Sequence, residues 1–65
     1  MNVDAVAKRV LAEFDEMPGM ALTVPQASRL FGLDNGACRT VVDRLVEQSY
    51  LKWTRAGTIV RAEPS

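Results

Sequence analysis

Residues 23–51, TVPQASRLFGLDNGACRTVVDRLVEQSYL, decide the architecture of this chain. They predict a short helix over 24–31, a tight turn at Gly32-Leu33-Asp34 and a longer helix over 35–48. Thr23 can cap the first helix, and Gln26 stands three residues later, where the reciprocal partner of a capping box belongs. Pro25 is tolerated because the first helical turn needs no intrahelical N–H. Gly32 can take a left-handed conformation without strain, and Asp34 can cap the second helix. Ala27, Leu30 and Phe31 are expected on one face of the short helix. Cys38, Val41, Val42, Leu45 and Val46 line one face of the long helix at 3–4 spacing, with Leu33 plugging the turn.

Working outward, residues 3–17 predict a helix with Val3, Val6, Ala7, Val10, Phe14 and Met17 on one stripe. Asp4, Lys8, Glu13, Asp15 and Glu16 fall largely on the other side, and Pro18-Gly19 ends it. Met20-Ala21-Leu22 is too short for a helix and reads as a brief strand leading into the Thr23 cap. After Gln48 the composition shifts. Tyr50 to Thr54 is rich in strand-favouring residues, Arg55-Ala56-Gly57 reads as a turn, and Thr58 to Ala62 reads as a second strand. The result is a hairpin over 51–62. A lone hairpin is unstable in water, so it is expected to close over the helices, with Leu51 and Val60 facing the core and the Met20–Leu22 strand as a third edge. Glu63-Pro64-Ser65 reads as a polar tail. The fold class is mainly α with a small β-hairpin, in one domain over 1–65.

The chain has 65 residues, eight basic and eight acidic, and no histidine. At this length a domain buries only roughly 60% of its unfolded surface and is marginal alone, so self-association is a natural expectation. Zero net charge does not announce nucleic acid, yet the charge is unevenly spread. Residues 1–20 carry two bases and four acids, residues 21–65 carry six and four, and Gln48 to Ala62 holds three bases and no acid. One cysteine without histidine excludes an internal disulfide framework and a Cys/His zinc site. No apolar run approaches the 18 or so residues of a membrane span, and Asp4, Lys8 and Arg9 interrupt any signal-peptide pattern. The expected compartment is a reduced cytoplasm, with no cofactor and no metal.

The order helix, short strand, helix, turn, helix, hairpin resembles the three-helix winged helix-turn-helix domain of bacterial transcription regulators. The residues that carry the likeness are Leu22-Thr23 before Gln26-Ala27, then Leu30-Phe31-Gly32-Leu33, then Cys38, Val41 and the run Asp43-Arg44-Leu45-Val46-Glu47, then Tyr50-Leu51 and the hairpin glycine Gly57. The nearest groups are the MarR-like and IclR-like ones, in which glycine often stands where this chain has Ser49. The resemblance implies a regulator that binds double-stranded DNA with helix 35–48 as recognition helix and hairpin 51–62 as wing. The N-terminal part of such a helix meets base edges in the major groove, and dimers bind two-fold sites.

On that reading Arg39 is the leading candidate, since its planar fork can hold guanine at two atoms. Thr40 can touch a base methyl or a phosphate. Asn35 can bond adenine or a phosphate at the helix N-terminus. Gly36 lets the backbone come close. Arg44 sits on the flank, with surface pairing to Asp43, Glu47 or Gln48 as its competing role. Arg55 at the hairpin tip, with Lys52 and Arg61, can grip a phosphate or enter the minor groove. Lys52 and Arg61 can equally protect a sheet edge. Arg29, outside the first motif helix, is a phosphate candidate. Asp43 and Glu47 read as orienting or solvating groups. Cys38 reads as core, Trp53 as a half-buried cover for the sheet and Tyr50 as packing at the helix end.

Catalysis is not expected. The chain has no histidine, no base in sequence reach of Cys38 and no phosphate-cradling loop. A second class stays open beside DNA binding: a protein-interaction module on the same fold, which the zero net charge and the outward acids favour.

Overall fold

A computed structural model describes residues 2–62. Three helices, α1 (Val3–Glu16), α2 (Val24–Phe31) and α3 (Asn35–Glu47), combine with three short strands, β1 (Ala21–Leu22), β2 (Leu51–Trp53) and β3 (Ile59–Arg61). The strands form one antiparallel sheet in the order β1-β3-β2. The polar tail expected at Glu63-Pro64-Ser65 lies outside the described residues. Among those described, no helix is long and apolar enough to cross a membrane.

Each helix starts where its sequence offers a side-chain acceptor to the orphan N–H groups of a first turn. The Asn2 carboxamide accepts from Ala5 N–H at 3.1 Å. Thr23 and Gln26 close a full capping box, with Gln26 N–H donating to Thr23 Oγ1 at 3.3 Å and Thr23 N–H donating to Gln26 Oε1 at 2.9 Å. Asp34 accepts from Ala37 N–H at 2.7 Å. The helix ends are equally local. Gly32 takes φ +69° after α2, and Leu33 N–H donates back to Ser28 C=O. Ser49 does the same after α3 at φ +66°, with its own N–H on Val46 C=O and Tyr50 N–H on Leu45 C=O, both at 2.9 Å. This is a Schellman closure with serine in the place that glycine normally takes.

Helix α3 is the hub. Cys38, Val41, Val42 and Leu45 are at most 2% exposed and pack against α1, α2 and β2. α1 contributes Ala7, Val10 and Phe14, α2 contributes Ala27 and Phe31, and the sheet contributes Leu51 and Ile59. Two arginines tie the pieces together. Arg9 of α1 donates to the C-terminal carbonyl of α2 at Phe31, at 3.1 Å, where a cation also suits the helix dipole. Arg61 of β3 reaches Asp15 of α1 at 2.6 Å.

Three packing expectations are corrected. Val60 does not face the core; Ile59 does, fully buried, opposite Trp53. Residues directly opposite share a face of the sheet, so with Leu51 inside, the register Trp53↔Ile59 puts Ile59 inside and Val60 outside. Leu30 is 54% exposed. The inward stripe of α2 is built from the i,i+4 pairs Ala27–Phe31 and Val24–Ser28, and Leu30 falls beyond its edge. Met17 is 58% exposed because α1 ends at Glu16 and Met17 has already left helical geometry at φ −129°, so the helical period no longer sets its direction.

Candidate nucleic-acid interface

The outward side of α3 is bare. Asn35, Gly36, Arg39, Thr40, Asp43 and Glu47 are all exposed, as the requirement that Cys38, Val41, Val42 and Leu45 face inward dictates. The N-terminal half of this face is shallow. Gly36 has no side chain, and a Cβ built there would meet only Asp34 Oδ1, at 3.4 Å.

Local bonds narrow what each side chain can offer. Thr40 donates its hydroxyl proton to Gly36 C=O at 3.0 Å, which leaves a methyl group and oxygen lone pairs outward and no donor for a phosphate. Asn35 Oδ1 accepts from the hydroxyl of Ser28 at 2.8 Å. That bond joins α2 to α3 across the turn and satisfies Ser28, which is only 7% exposed. Among the described residues the Asn35 amide N–H₂ has no partner, so it can donate to a phosphate, whereas a two-point contact with adenine would need its oxygen back.

Arg39 is placed by two neighbours. Its Nε lies 3.4 Å from Asp43 Oδ1, one helical turn on. Its guanidinium carbon sits 5.0 Å from the centroid of the Trp53 ring, within the range of a cation–π contact. Among the described residues neither terminal nitrogen of Arg39 has a hydrogen-bond partner. Trp53 is half-buried on the inner side of the sheet, so the hairpin stands directly beside the outer face of α3. The hairpin tip is a three-residue loop, Arg55-Ala56-Gly57. Gly57 takes φ +80° and donates to Thr54 C=O, and the Thr54 and Thr58 hydroxyls meet at 2.6 Å beneath it. This loop holds Arg55 at the apex, exposed, and Lys52 projects from the outer side of β2 opposite Val60. Neither forms an ion pair among the described residues.

The remaining basic candidates lie elsewhere. Arg44 is five residues beyond Arg39, roughly 140° around the helix, and turns toward α1, where it pairs with Asp4 at 3.5 Å. The expected partners Asp43, Glu47 and Gln48 are not the ones it uses. Arg61 is an internal tie. Besides Asp15 it donates to the carbonyls of Tyr50 at 2.6 Å and Ala62 at 3.0 Å, and its side chain is only 24% exposed. Tyr50, expected to pack the helix end, is 43% exposed with Arg61 over its ring at 5.8 Å. Arg44 and Arg61 border an open groove of about 530 Å³ between α1 and the end of α3, on the flank away from Arg39. Arg29 is exposed in the last turn of α2, where its charge complements the helix dipole.

Sequence reading did not anticipate the Arg39–Trp53 contact, for which no local signal exists. It also passed over the Arg39–Asp43 pair, although an i,i+4 spacing is such a signal. Comparison with protein families, curated proteins and solved structures finds no match for the chain.

Proposed function

We propose that this chain is a winged helix-turn-helix DNA-binding domain of the bacterial regulator kind, with α3 as recognition helix and the β2–β3 hairpin as wing. The observation that carries the reading is one continuous surface. The uncovered outer side of α3, flat at Gly36 and armed at Arg39, adjoins through Trp53 a hairpin whose Lys52 and Arg55 are exposed and unpaired among the described residues. α3 enters the major groove from its N-terminal half, and Lys52, Arg55 and the Asn35 amide hold phosphates. Arg29 adds a further phosphate contact. One domain offers few contacts, so tight binding uses two copies on a two-fold site.

The test is titration of a labelled random duplex at several salt concentrations, read by anisotropy. Three cationic phosphate contacts per domain, from Lys52, Arg55 and Arg29, give a slope of log affinity against log salt of about −3 per copy. Absence of binding at low salt and high protein concentration refutes the reading. A second reading, a protein-interaction module on the same fold, draws on Asp43 and Glu47, two carboxylates exposed on the face that would meet phosphates. It predicts no duplex binding at any salt.

A further inference from the structure

We infer that Arg39 is a preset guanine reader, with Asp43 and the wing residue Trp53 as its positioning residues; this rests on the DNA-binding reading above. A free surface arginine samples many rotamers, and fixing it costs entropy on binding. Here the side chain is held before any DNA arrives. The Trp53 ring supports the guanidinium at 5.0 Å, and Asp43 takes its Nε–H at 3.4 Å. The guanidinium has five N–H groups in a fixed fork. With Nε occupied, the edge left over is the one that carries both terminal nitrogens. That edge offers two parallel donors and no acceptor.

Only one base matches two parallel donors in the major groove. Guanine presents two acceptors, N7 and O6. Adenine presents an acceptor beside a donor, thymine a single acceptor beside a methyl, and cytosine a donor. The site therefore selects a G·C pair at the position that Arg39 meets. Asp43 and Glu47, the acids that argue against DNA binding by charge, then differ in role. Asp43 is spent on orienting Arg39, while Glu47 lies a further turn along the helix. The exposed Arg39–Asp43 pair, 62% and 56% accessible, contributes little to folding, so its removal leaves the fold intact. The arrangement also couples the wing to base choice. Trp53 touches no DNA in this scheme, yet it decides how well one base is read.

The experiment selects bound sequences from a randomised duplex with the full chain, then measures affinity for the selected site and for versions with each guanine replaced. The wild-type chain should prefer guanine at one position by roughly 10- to 100-fold, and Arg39→Ala should abolish that preference alone. Asp43→Ala and Trp53→Leu should reduce it to within about threefold, with preferences elsewhere in the site retained. Asp43→Ala removes a negative charge near phosphates along with the acceptor, so its affinity for random duplex should rise slightly. A general electrostatic effect therefore cannot imitate the lost discrimination. Trp53 is the single tryptophan, so Arg39→Ala should also shift its emission in the free protein. Asp43→Ala, at an exposed helical position that tolerates alanine, serves if Trp53→Leu destabilises the hairpin.

Guanine preference lost in Arg39→Ala but intact in Asp43→Ala and Trp53→Leu overturns the positioning roles and spares DNA binding. Preferences unchanged in Arg39→Ala overturn the whole inference and still spare it. No duplex binding by the wild-type chain removes both.

Discussion

Replacing Ser49 with glycine should stabilise this domain. Ser49 is the one non-glycine residue at positive φ among the described residues, at +66°. It closes α3 by turning the chain so that Tyr50 N–H reaches Leu45 C=O and Ser49 N–H reaches Val46 C=O. A residue with a Cβ in this conformation costs about 1–2 kcal/mol through its clash with the following carbonyl. Glycine removes that clash but loses about 0.5–1 kcal/mol more backbone entropy on folding. The side chain is exposed and forms no hydrogen bond among the described residues, so nothing is forfeited with it. The difference is a gain of about 0.5–1 kcal/mol, or an increase in Tm of about 2–8 °C for a domain of this size. Urea unfolding followed by helical circular dichroism measures it, with a higher midpoint at unchanged slope. Ser49→Ala is the control, keeping the Cβ and therefore the strain, with no gain expected. If Ser49→Gly melts at or below the wild-type temperature, the left-handed closure is not strained, and the account of how α3 hands the chain to β2 is wrong.

Two further outcomes separate folding from binding. Gly36→Ala should leave stability equal or raise it by up to about 1 kcal/mol, since alanine is the better helix former and a Cβ finds only ordinary contact there. The same methyl group lands on the face proposed to approach the duplex, and overpacking of about 1–3 kcal/mol should weaken binding roughly 5- to 100-fold; equal affinity by anisotropy places Gly36 outside the interface. Arg55→Ala should reduce the salt slope by about 1 without changing Tm. Arg61→Ala should do the reverse, keeping the slope and costing about 1–3 kcal/mol of stability through its lost charged hydrogen bonds. An Arg61→Ala chain as stable as wild type with a shallower slope would return Arg61 to the interface.

What could be read in advance divides by distance along the chain. The Thr23–Gln26 box, the Asp34 cap and the Gly32 turn are interactions within three to five residues, and residue types alone specify them. The inward stripe of α3 was equally legible, because four buried positions at 3–4 spacing admit one solution. The sheet face was not. Ile59 and Val60 are both apolar and β-branched, so pattern cannot choose between them. The choice falls to the three-residue loop at Arg55–Gly57, which sets the register Trp53↔Ile59. A loop one residue different would have turned Val60 inward. Serine in a glycine position after α3 was visible as an anomaly, but only the carbonyls of Leu45 and Val46, held by the packed helix, compel it into the left-handed region. The arginines show the same limit. Arg44, Arg61 and Arg9 are paired with Asp4, Asp15 and Phe31, and only tertiary packing brings those partners within reach.

Those pairings also resolve how a chain of zero net charge can present a cationic edge. Asp4–Arg44 and Asp15–Arg61 neutralise one another on the α1 flank, so two of the eight bases and two of the eight acids cancel away from the proposed interface. Asp34 is occupied as a helix cap and Asp43 by Arg39. The domain measures 31 × 22 × 20 Å, roughly two and a half to four Debye lengths at physiological salt, so a phosphate near the hairpin responds to Lys52 and Arg55 and hardly to acids on the opposite side. Net charge sums over distances that salt screens, whereas the local arrangement does not. If that is the governing scale, lowering salt should strengthen duplex binding at first and then with diminishing returns. As the Debye length grows past the size of the domain, the acids of α1 come into view, and log affinity against log salt should bend toward zero slope. A strictly linear plot down to the lowest salt would mean that the α1 acids never matter, and that net charge was the wrong quantity to weigh from the start.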